Sequence, residues 1–340
     1  MTYPEVLSAA RGRMGPYCKA CPVCSGQGCR STIPGPGAKG LGTGFIRNYQ
    51  KWQEICVNLD TIGENYPPDT HLDLFGRRFD LPVFAAPIGA MKLHYGDLYD
   101  DAAYNDILVP ACRRAGIAAF TGDGVDPAVM ASALRAIGSE GGCGVPTVKP
   151  WNMELIREKM ASAQAAAPFA IAMDIDAAGL PFLKNCDPPA GSKTVEELQR
   201  ISQWAERPFL LKGIMTVRGA EKALSAGAAG IVVSNHGGRV LDQCPATAEV
   251  LPEIVEAVGG KLKIFVDGGI RTGMDIFKAL ALGADAVLIG RPFVTAVYGG
   301  GAEGVLAYVE TLRAGLTDTM TMCGAHSLAD ITPDMVRLPK

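Results

Sequence analysis

No apolar run in this sequence approaches the ~18 residues of a membrane-spanning helix, and Met1–Gly15 lacks the apolar stretch of a secretory signal. Basic residues are not in excess. The chain carries 32 Lys and Arg against 35 Asp and Glu, a formal charge of −3, which removes the electrostatic case for nucleic acid or an anionic membrane as a partner. Cysteine, at 10 in 340 residues, is too sparse for a disulfide scaffold. Cys112, Cys143 and Cys323 stand singly in apolar segments, as reduced core cysteines do. Histidine is scarcer still, with 4 in the chain. With 48% hydrophobic and 20% charged residues, these absences predict a globular cytoplasmic enzyme acting on a small molecule.

What is present is a repeat. From Leu81 onward strand-like apolar runs alternate with helix-like ones, which indicates a parallel α/β architecture. Strands are predicted near Val83–Ala86, Ala118–Phe120, Val145–Val148, Phe169–Asp174, Phe209–Lys212, Gly230–Ser234, Lys263–Asp267 and Ala286–Gly290. Between them fall helices such as Asp126–Ile137, Asn152–Gln164, Val195–Trp204, Val217–Ala226, Ala246–Val258 and Met274–Leu282. Asp126-Pro127, Asn152 and Thr216 carry helix-start chemistry. Eight such units predict one closed (β/α)8 TIM barrel over residues 81–340, with a Cys/Gly/Pro-rich N-terminal extension over 1–80 packed on it. An open doubly wound sheet would carry its phosphate fingerprint on the first unit. Gly35-Pro-Gly37-Ala-Lys-Gly40 has that spacing, but no strand precedes it and Pro34 and Pro36 forbid the geometry. It reads as an extended surface segment.

Chemistry concentrates at the strand exits, where barrel active sites lie. Ser234-Asn-His236-Gly237-Gly-Arg239 follows the apolar run Ala229–Val233. It sets a histidine that takes a proton near neutral pH beside an arginine whose fork matches a carboxylate. Asp267-Gly268-Gly269-Ile-Arg271 and Gly290-Arg291-Pro292 each end a strand in glycine plus a cation. Backbone N–H groups at such turns form anion sites, and the two together suit one phosphate monoester. Lys212 ends a strand in Leu-Leu-Lys-Gly, where a buried lysine implies a partner.

Taken in order, Leu211-Lys212-Gly213, Ser234 to Asp242, Pro245-Ala-Thr247, Asp267 to Arg271 and Gly290-Arg291-Pro292 closely resemble the FMN-dependent α-hydroxy-acid oxidases and dehydrogenases. The match is dense from about Phe209 to Ile331, looser from Leu81 to Phe209 and nearly absent before Leu81. The resemblance implies an FMN enzyme that oxidises a 2-hydroxy acid or a related hydroxylated anion by hydride transfer to flavin, assembled as a tetramer or octamer. It implies that Pro87, Ile88 and Gly89 lie along the flavin ring, with Thr121, Thr147, Ser234 and Gly237 around it. Lys212 would stabilise the reduced ring, and Asp267, Gly268, Gly269, Arg271, Gly290 and Arg291 would complete the cofactor site. His236 would take the substrate proton, Arg239 would hold the substrate anion, and Asp174 would bond the histidine, with Asp176 as a competitor for that role.

The family pattern is also broken in places. Lys149 stands where a substrate-facing tyrosine is usual; it is assigned to substrate binding, dispensable for the fold, or to a second general base or acid if desolvated, or else to a solvated rim. With Arg239 it would let the site hold an acid larger than lactate. The segment Ile175–Ser192 has no arginine; Lys184 and, just beyond it, Lys193 are the nearby cations. The N-terminal active-site tyrosine has no counterpart. Met91 and His94 are expected near the barrel mouth, and His71 and His326 are read as structural. Cys18, Cys21, Cys24 and Cys29 have spacings that suit an iron–sulfur cluster or a zinc ion, or else form a reduced loop packed on the barrel. Two other functions stay open. One is an FMN-dependent isomerase of the isopentenyl diphosphate type, which shares the Asp-Gly-Gly-Ile-Arg and Gly-Arg-Pro elements. The other is a flavin electron-transfer or maturation protein acting on a peptide.

Overall fold

The computed structural model describes residues 1–64, 66–180, 183, 185–187 and 189–339, so Lys184 lies outside the described residues. Eight parallel strands close into a barrel: β1 Val83–Ala85, β2 Ala118–Thr121, β3 Gly144–Val148, β4 Ile171–Asp174, β5 Phe209–Ile214, β6 Gly230–Val233, β7 Lys263–Asp267 and β8 Ala286–Ile289. The ring closes where β8 pairs with β1, Val287 opposite Val83 and Ile289 opposite Ala85, which leaves no exposed edge. Around it lie α1 Asp101–Arg114, α2 Pro127–Ser139, α3 Met153–Ala165, α4 Val195–Ala205, α5 Val217–Ser225, α6 Thr247–Val258, α7 Gly273–Ala281 and α8 Arg291–Met322. The (β/α)8 expectation holds, and every strand falls within two residues of its predicted bounds. Asp126, Asn152 and Thr216 cap α2, α3 and α5, accepting from the N–H groups of Ala128, Leu155 and Gly219.

Side chains alternate between the barrel interior and the helix layer. Inside, Phe84, Phe120 and Phe265 meet edge to face with ring centroids 5.8–5.9 Å apart; Leu210, Val232 and Leu288 fill the space around them. Ile171, Leu211, Ile231, Val266 and Val287 face the helices instead. Carried past the apolar layer, the same two-residue period puts Thr147, Lys149, Asp174, Lys212, Ser234 and Asp267 on the interior side at the C-terminal mouth, where all are buried. At the opposite end the hairpin Leu72–Leu74/Arg77–Phe79 closes the barrel, with Phe79 against Phe84 and Phe169 at 5.0 and 5.3 Å.

Residues 1–80 are woven into the barrel. The Tyr3–Arg11 helix lies on α8, where Tyr3 stacks on Tyr308 at 4.5 Å and a Cβ at Gly299 would come within 2.1 Å of the Val6 carbonyl. The Thr43–Glu54 helix crosses the exits of β6 and β7. Asp242 holds its start, accepting from Leu41 N, Thr43 Oγ1 and Gly44 N at 2.7, 2.5 and 3.3 Å. The Gly35–Gly40 segment differs from its expectation: it is a turn, and Gly35–Ala38 are buried at the barrel mouth. The reason is electrostatic, because its carbonyls are the acceptors for Arg239 and Arg291. Among the described residues no helix is long and apolar enough to cross a membrane.

Phe265→Ala removes one third of the central aromatic cluster. It is expected to lower stability by about 3–5 kcal/mol, read from denaturant unfolding, and a loss below about 1 kcal/mol would mean that the interior repacks around the gap.

Candidate active site

The mouth of the barrel opens on a cavity of about 650 Å³, within the size range of cofactor and substrate sites. His236 reaches it from the turn after β6. That turn is left-handed for three residues, with φ of 56° at His236, 61° at Gly237 and 80° at Gly238. A non-glycine residue held there costs about 1–3 kcal/mol and persists only where its surroundings fix it. Asn235 does so. Its side-chain oxygen accepts from Gly238 N at 3.2 Å, and it exchanges two hydrogen bonds with Asn48, at 2.7 and 3.0 Å. Gly238 admits no side chain, because a Cβ would lie 2.6 Å from Phe45 N.

The partner of His236 is Asp176, with Nδ1 3.0 Å from Oδ1. This corrects the assignment to Asp174. Asp174 is the last inward residue of β4 and faces Lys149 of the adjacent strand exit, whereas Asp176 sits in the helical turn Ile175–Gly179 and reaches across. Gly213, at φ 101°, leaves room for it: a Cβ there would lie 2.4 Å from the Asp176 carboxyl carbon. Burial opposes ionisation of Asp176, but His236 and Lys212 outweigh it and hold the carboxyl below the usual range. An ionised Asp176 only accepts, so in the neutral imidazole the ring proton sits on Nδ1 and Nε2 is left as the base.

Lys149 is not on a solvated rim. Its Nζ lies 2.7 Å from Asp174 Oδ2, and both side chains are buried. Burial pushes the Asp174 carboxyl up by more than Lys149 and His236 draw it down. Its Oδ1 has no hydrogen-bond partner among the described residues. Asp123, which the sequence reading passed over, sets this corner. It accepts from Lys149 N at 3.1 Å, Trp151 Nε1 at 2.7 Å and Lys159 Nζ at 2.8 Å. Its place between two glycines after β2 was the available signal.

Lys212 donates to Ser234 Oγ at 2.7 Å and pairs with Asp267 Oδ2 at 3.2 Å. Burial alone would depress its pKa, but Asp267, Asp176 and Asp174 outweigh that and hold it above the ordinary lysine value. It is a fixed positive charge in the cavity wall.

The three arginines expected to meet ligand anions also bind main chain. Arg239 Nη1 donates to the Gly35 and Gly37 carbonyls at 2.6 and 2.8 Å. Arg291 Nε donates to Pro36 O at 2.6 Å and Nη2 to Gly237 O at 3.0 Å, with the guanidinium 3.6 Å from the centre of the Phe45 ring. Arg271 Nε donates to Cys24 O at 2.9 Å and Nη1 to Ile270 O at 2.6 Å. All three still line the cavity, with Gly268, Gly269 and Gly290. The Asp267–Gly269 turn is tied back by Trp52 Nε1 on Gly268 O and by Thr247 Oγ1 on Asp267 O, at 2.8 and 2.7 Å.

Pro87, Ile88 and Gly89 line the cavity, as does His94, while Met91 is buried in the core. Thr121 shares the parity of Ala119, which faces the helix layer, and it does not line the cavity. Its hydroxyl and that of Thr147 have no partner among the described residues. His71 pairs with Asp69 and His326 stacks on Tyr66, both away from the wall. Lys193 donates to the Pro150 and Gly191 carbonyls at 3.1 and 2.8 Å. Cys18, Cys21, Cys24 and Cys29 are free thiols, and among the described residues no three His, Cys, Asp or Glu side chains converge as metal ligands. Of the two readings of this segment, a cluster or zinc ion finds no ligand set among the described residues, and Cys24 serves through its carbonyl.

A sequence profile described as FMN-dependent dehydrogenase matches residues 36–185 and 187–338, so the likeness reaches well before Leu81. A 4-hydroxymandelate oxidase of Amycolatopsis orientalis is 32% identical over 335 residues, covering 89% of this chain and 94% of that protein. A peroxisomal (S)-2-hydroxyacid oxidase of Arabidopsis thaliana is 48% identical over 145 residues, covering 43% of this chain and 39% of that protein. An L-lactate oxidase of Roseobacter sp. is 46% identical over 143 residues, covering 42% and 39%. With these two relatives the matched stretch spans about two fifths of their length. A solved mandelate oxidase superposes with a TM-score of 0.80 at 28% identity, covering 99% of this chain and 97% of that one.

The Lys149–Asp174 pair sets a measurable expectation. Lys149→Met leaves a buried carboxylate without its cation and should cost about 3 kcal/mol. Adding Asp174→Asn should restore most of it. Denaturation midpoints of both single variants and the double variant give the coupling; strictly additive losses would show that the pair is not coupled.

Proposed function

Since the chain belongs to the FMN-dependent dehydrogenase family, we propose that it binds FMN and oxidises a 2-hydroxy acid, with His236 as the base. The observation that carries this reading is the His236–Asp176 pair in the cavity wall, beside the fixed charge of Lys212.

The residues of the cavity fit the cofactor. Gly290 and Arg291 at the start of α8, with Arg271 from the turn before α7, suit its phosphate, since a helix N-terminus and two guanidiniums favour an anion. Lys212 suits the electron-rich edge of the ring and Pro87–Gly89 its face. Bound FMN supplies the acceptor for the two electrons and the hydrogen that leave the hydroxyl-bearing carbon.

The protein supplies position and charge. Arg239 holds the substrate anion. His236 Nε2 takes the hydroxyl proton, and the imidazolium that forms donates through Nδ1 to Asp176, so the new charge arises beside a carboxylate already in place. Lys212 keeps its proton because three carboxylates surround it, and its charge favours electron density arriving nearby. Leu93, Val129 and Leu180 line the cavity and suit an acid whose side chain is apolar and larger than methyl.

The purified protein should release FMN, identified by chromatography; recovery of FAD would contradict the single phosphate site. His236→Ala should keep FMN bound while slowing anaerobic flavin reduction by a 2-hydroxy acid about 10²–10⁴-fold. Near wild-type single-turnover reduction by that variant would remove His236 from the chemistry.

A further inference from the structure

Arg271 and Arg291 reach the cavity from the turns after β7 and β8, and a guanidinium is a permanent cation. They donate to the carbonyls of Cys24, Ile270, Pro36, Gly37 and Gly237, and none of these acceptors is a carboxylate. Two like charges in one wall, matched by no acid, repel each other and would turn apart toward water. What they share is an aromatic ring. The guanidinium carbons of Arg291 and Arg271 lie 3.6 and 5.8 Å from the centre of Phe45, both within the ~6 Å reach of a cation–π attraction. Phe45 stands behind them, outside the cavity lining, and is 1% exposed, so the attraction acts where water does not weaken it. The ring is itself held. It belongs to the first turn of the Thr43–Glu54 helix, whose start Asp242 fixes. The bare backbone of Gly26 lies against it, where a Cβ would come within 2.8 Å of Phe45 Cγ. A guanidinium bonds anions through its edge and stacks through its face, so the ring and a phosphate do not compete for it.

We propose that Phe45 is a positioning residue of the phosphate site: its ring gathers the guanidiniums of Arg271 and Arg291 at one place before the phosphate of FMN arrives. The ring offsets the repulsion that two unmatched cations carry, and the ordering of both side chains is complete in advance of binding. The N-terminal extension thereby takes part in cofactor selection without touching the cofactor. The proposal rests on the FMN reading above.

The test compares two flavins on the full-length protein. After its own flavin is removed, the protein is titrated with FMN and with riboflavin, which carries the same ring and no phosphate, and quenching of flavin fluorescence reads each affinity. The wild type should bind FMN the more tightly. Phe45→Leu keeps an apolar side chain, and the backbone that packs on Gly238, but removes the π face. It should weaken FMN binding about 5–30-fold, the size of a desolvated cation–π contact, and leave riboflavin binding unchanged. Trifluorophenylalanine in place of Phe45 keeps the ring and drains its negative face. It too should weaken FMN and spare riboflavin, and it decides the matter if Phe45→Leu does not fold. Equal losses of both flavins in Phe45→Leu, or wild-type FMN affinity in the fluorinated protein, would reduce the ring to a packing element and overturn the proposal. If the wild type prefers FMN and neither variant changes that preference, the role of Phe45 fails and the FMN reading stands. If the wild type binds the two flavins equally, Arg271 and Arg291 do not hold a phosphate and the proposal fails with that assignment. If it binds neither, the FMN reading itself is overturned and the proposal goes with it.

Discussion

The amide pair between Asn48 and Asn235 holds the rest of the site in place. Two buried amides that face each other satisfy donor and acceptor at once, and Asn48 Oδ1 also accepts from Thr247 N at 3.2 Å. The pair joins the extension helix to the exit of β6, and from there it fixes the left-handed turn that presents His236. Left to itself the backbone at His236 would relax to negative φ and turn the imidazole away from Asp176. Buried polar networks of this kind are favourable only when every member is satisfied, which ties the geometry of the base to the docking of a helix some 190 residues earlier in the chain.

Around that turn the ionisable groups are paired. Lys149 lies on Asp174 and Lys212 on Asp267, and Asp176 accepts from His236. At buried positions such as these an unmatched charge would neutralise itself by shifting its pKa. Matching keeps Lys212 charged and Asp176 ionised, so the electrostatic field exists before a ligand arrives. That is the condition under which fixed charges contribute most to a reaction.

The extension completes the mouth of the barrel. Gly35, Pro36 and Gly37 present carbonyls to Arg239 and Arg291, and Cys24 presents one to Arg271. These bonds orient the guanidiniums and use some of their donors, and all three side chains line the cavity. A segment rich in glycine and proline suits this role, because it lets bare backbone approach closely: a Cβ at Gly37 would lie 2.1 Å from Cys29 O.

Much of this was legible in the chain. The two-residue period of Phe265 and Asp267, or of Leu210 and Lys212, is local, so the strands, their inward faces and the polar exit positions follow from the sequence alone. The glycine-flanked His236, Arg271 and Arg291 also announce themselves by their neighbours. Which carboxylate meets His236 was not legible, because Asp174 and Asp176 differ by one step of the backbone and only the space over Gly213 separates them. The fate of Lys149 turned on the facing strand, and Thr121 on a parity that places it with Ala119. The acceptors that the extension offers to Arg239, Arg271 and Arg291 lie more than 200 residues away in the chain. Side-chain direction is set by bonded neighbours and can be read in order, whereas hydrogen-bond partners are set by which distant segments the closed barrel brings together.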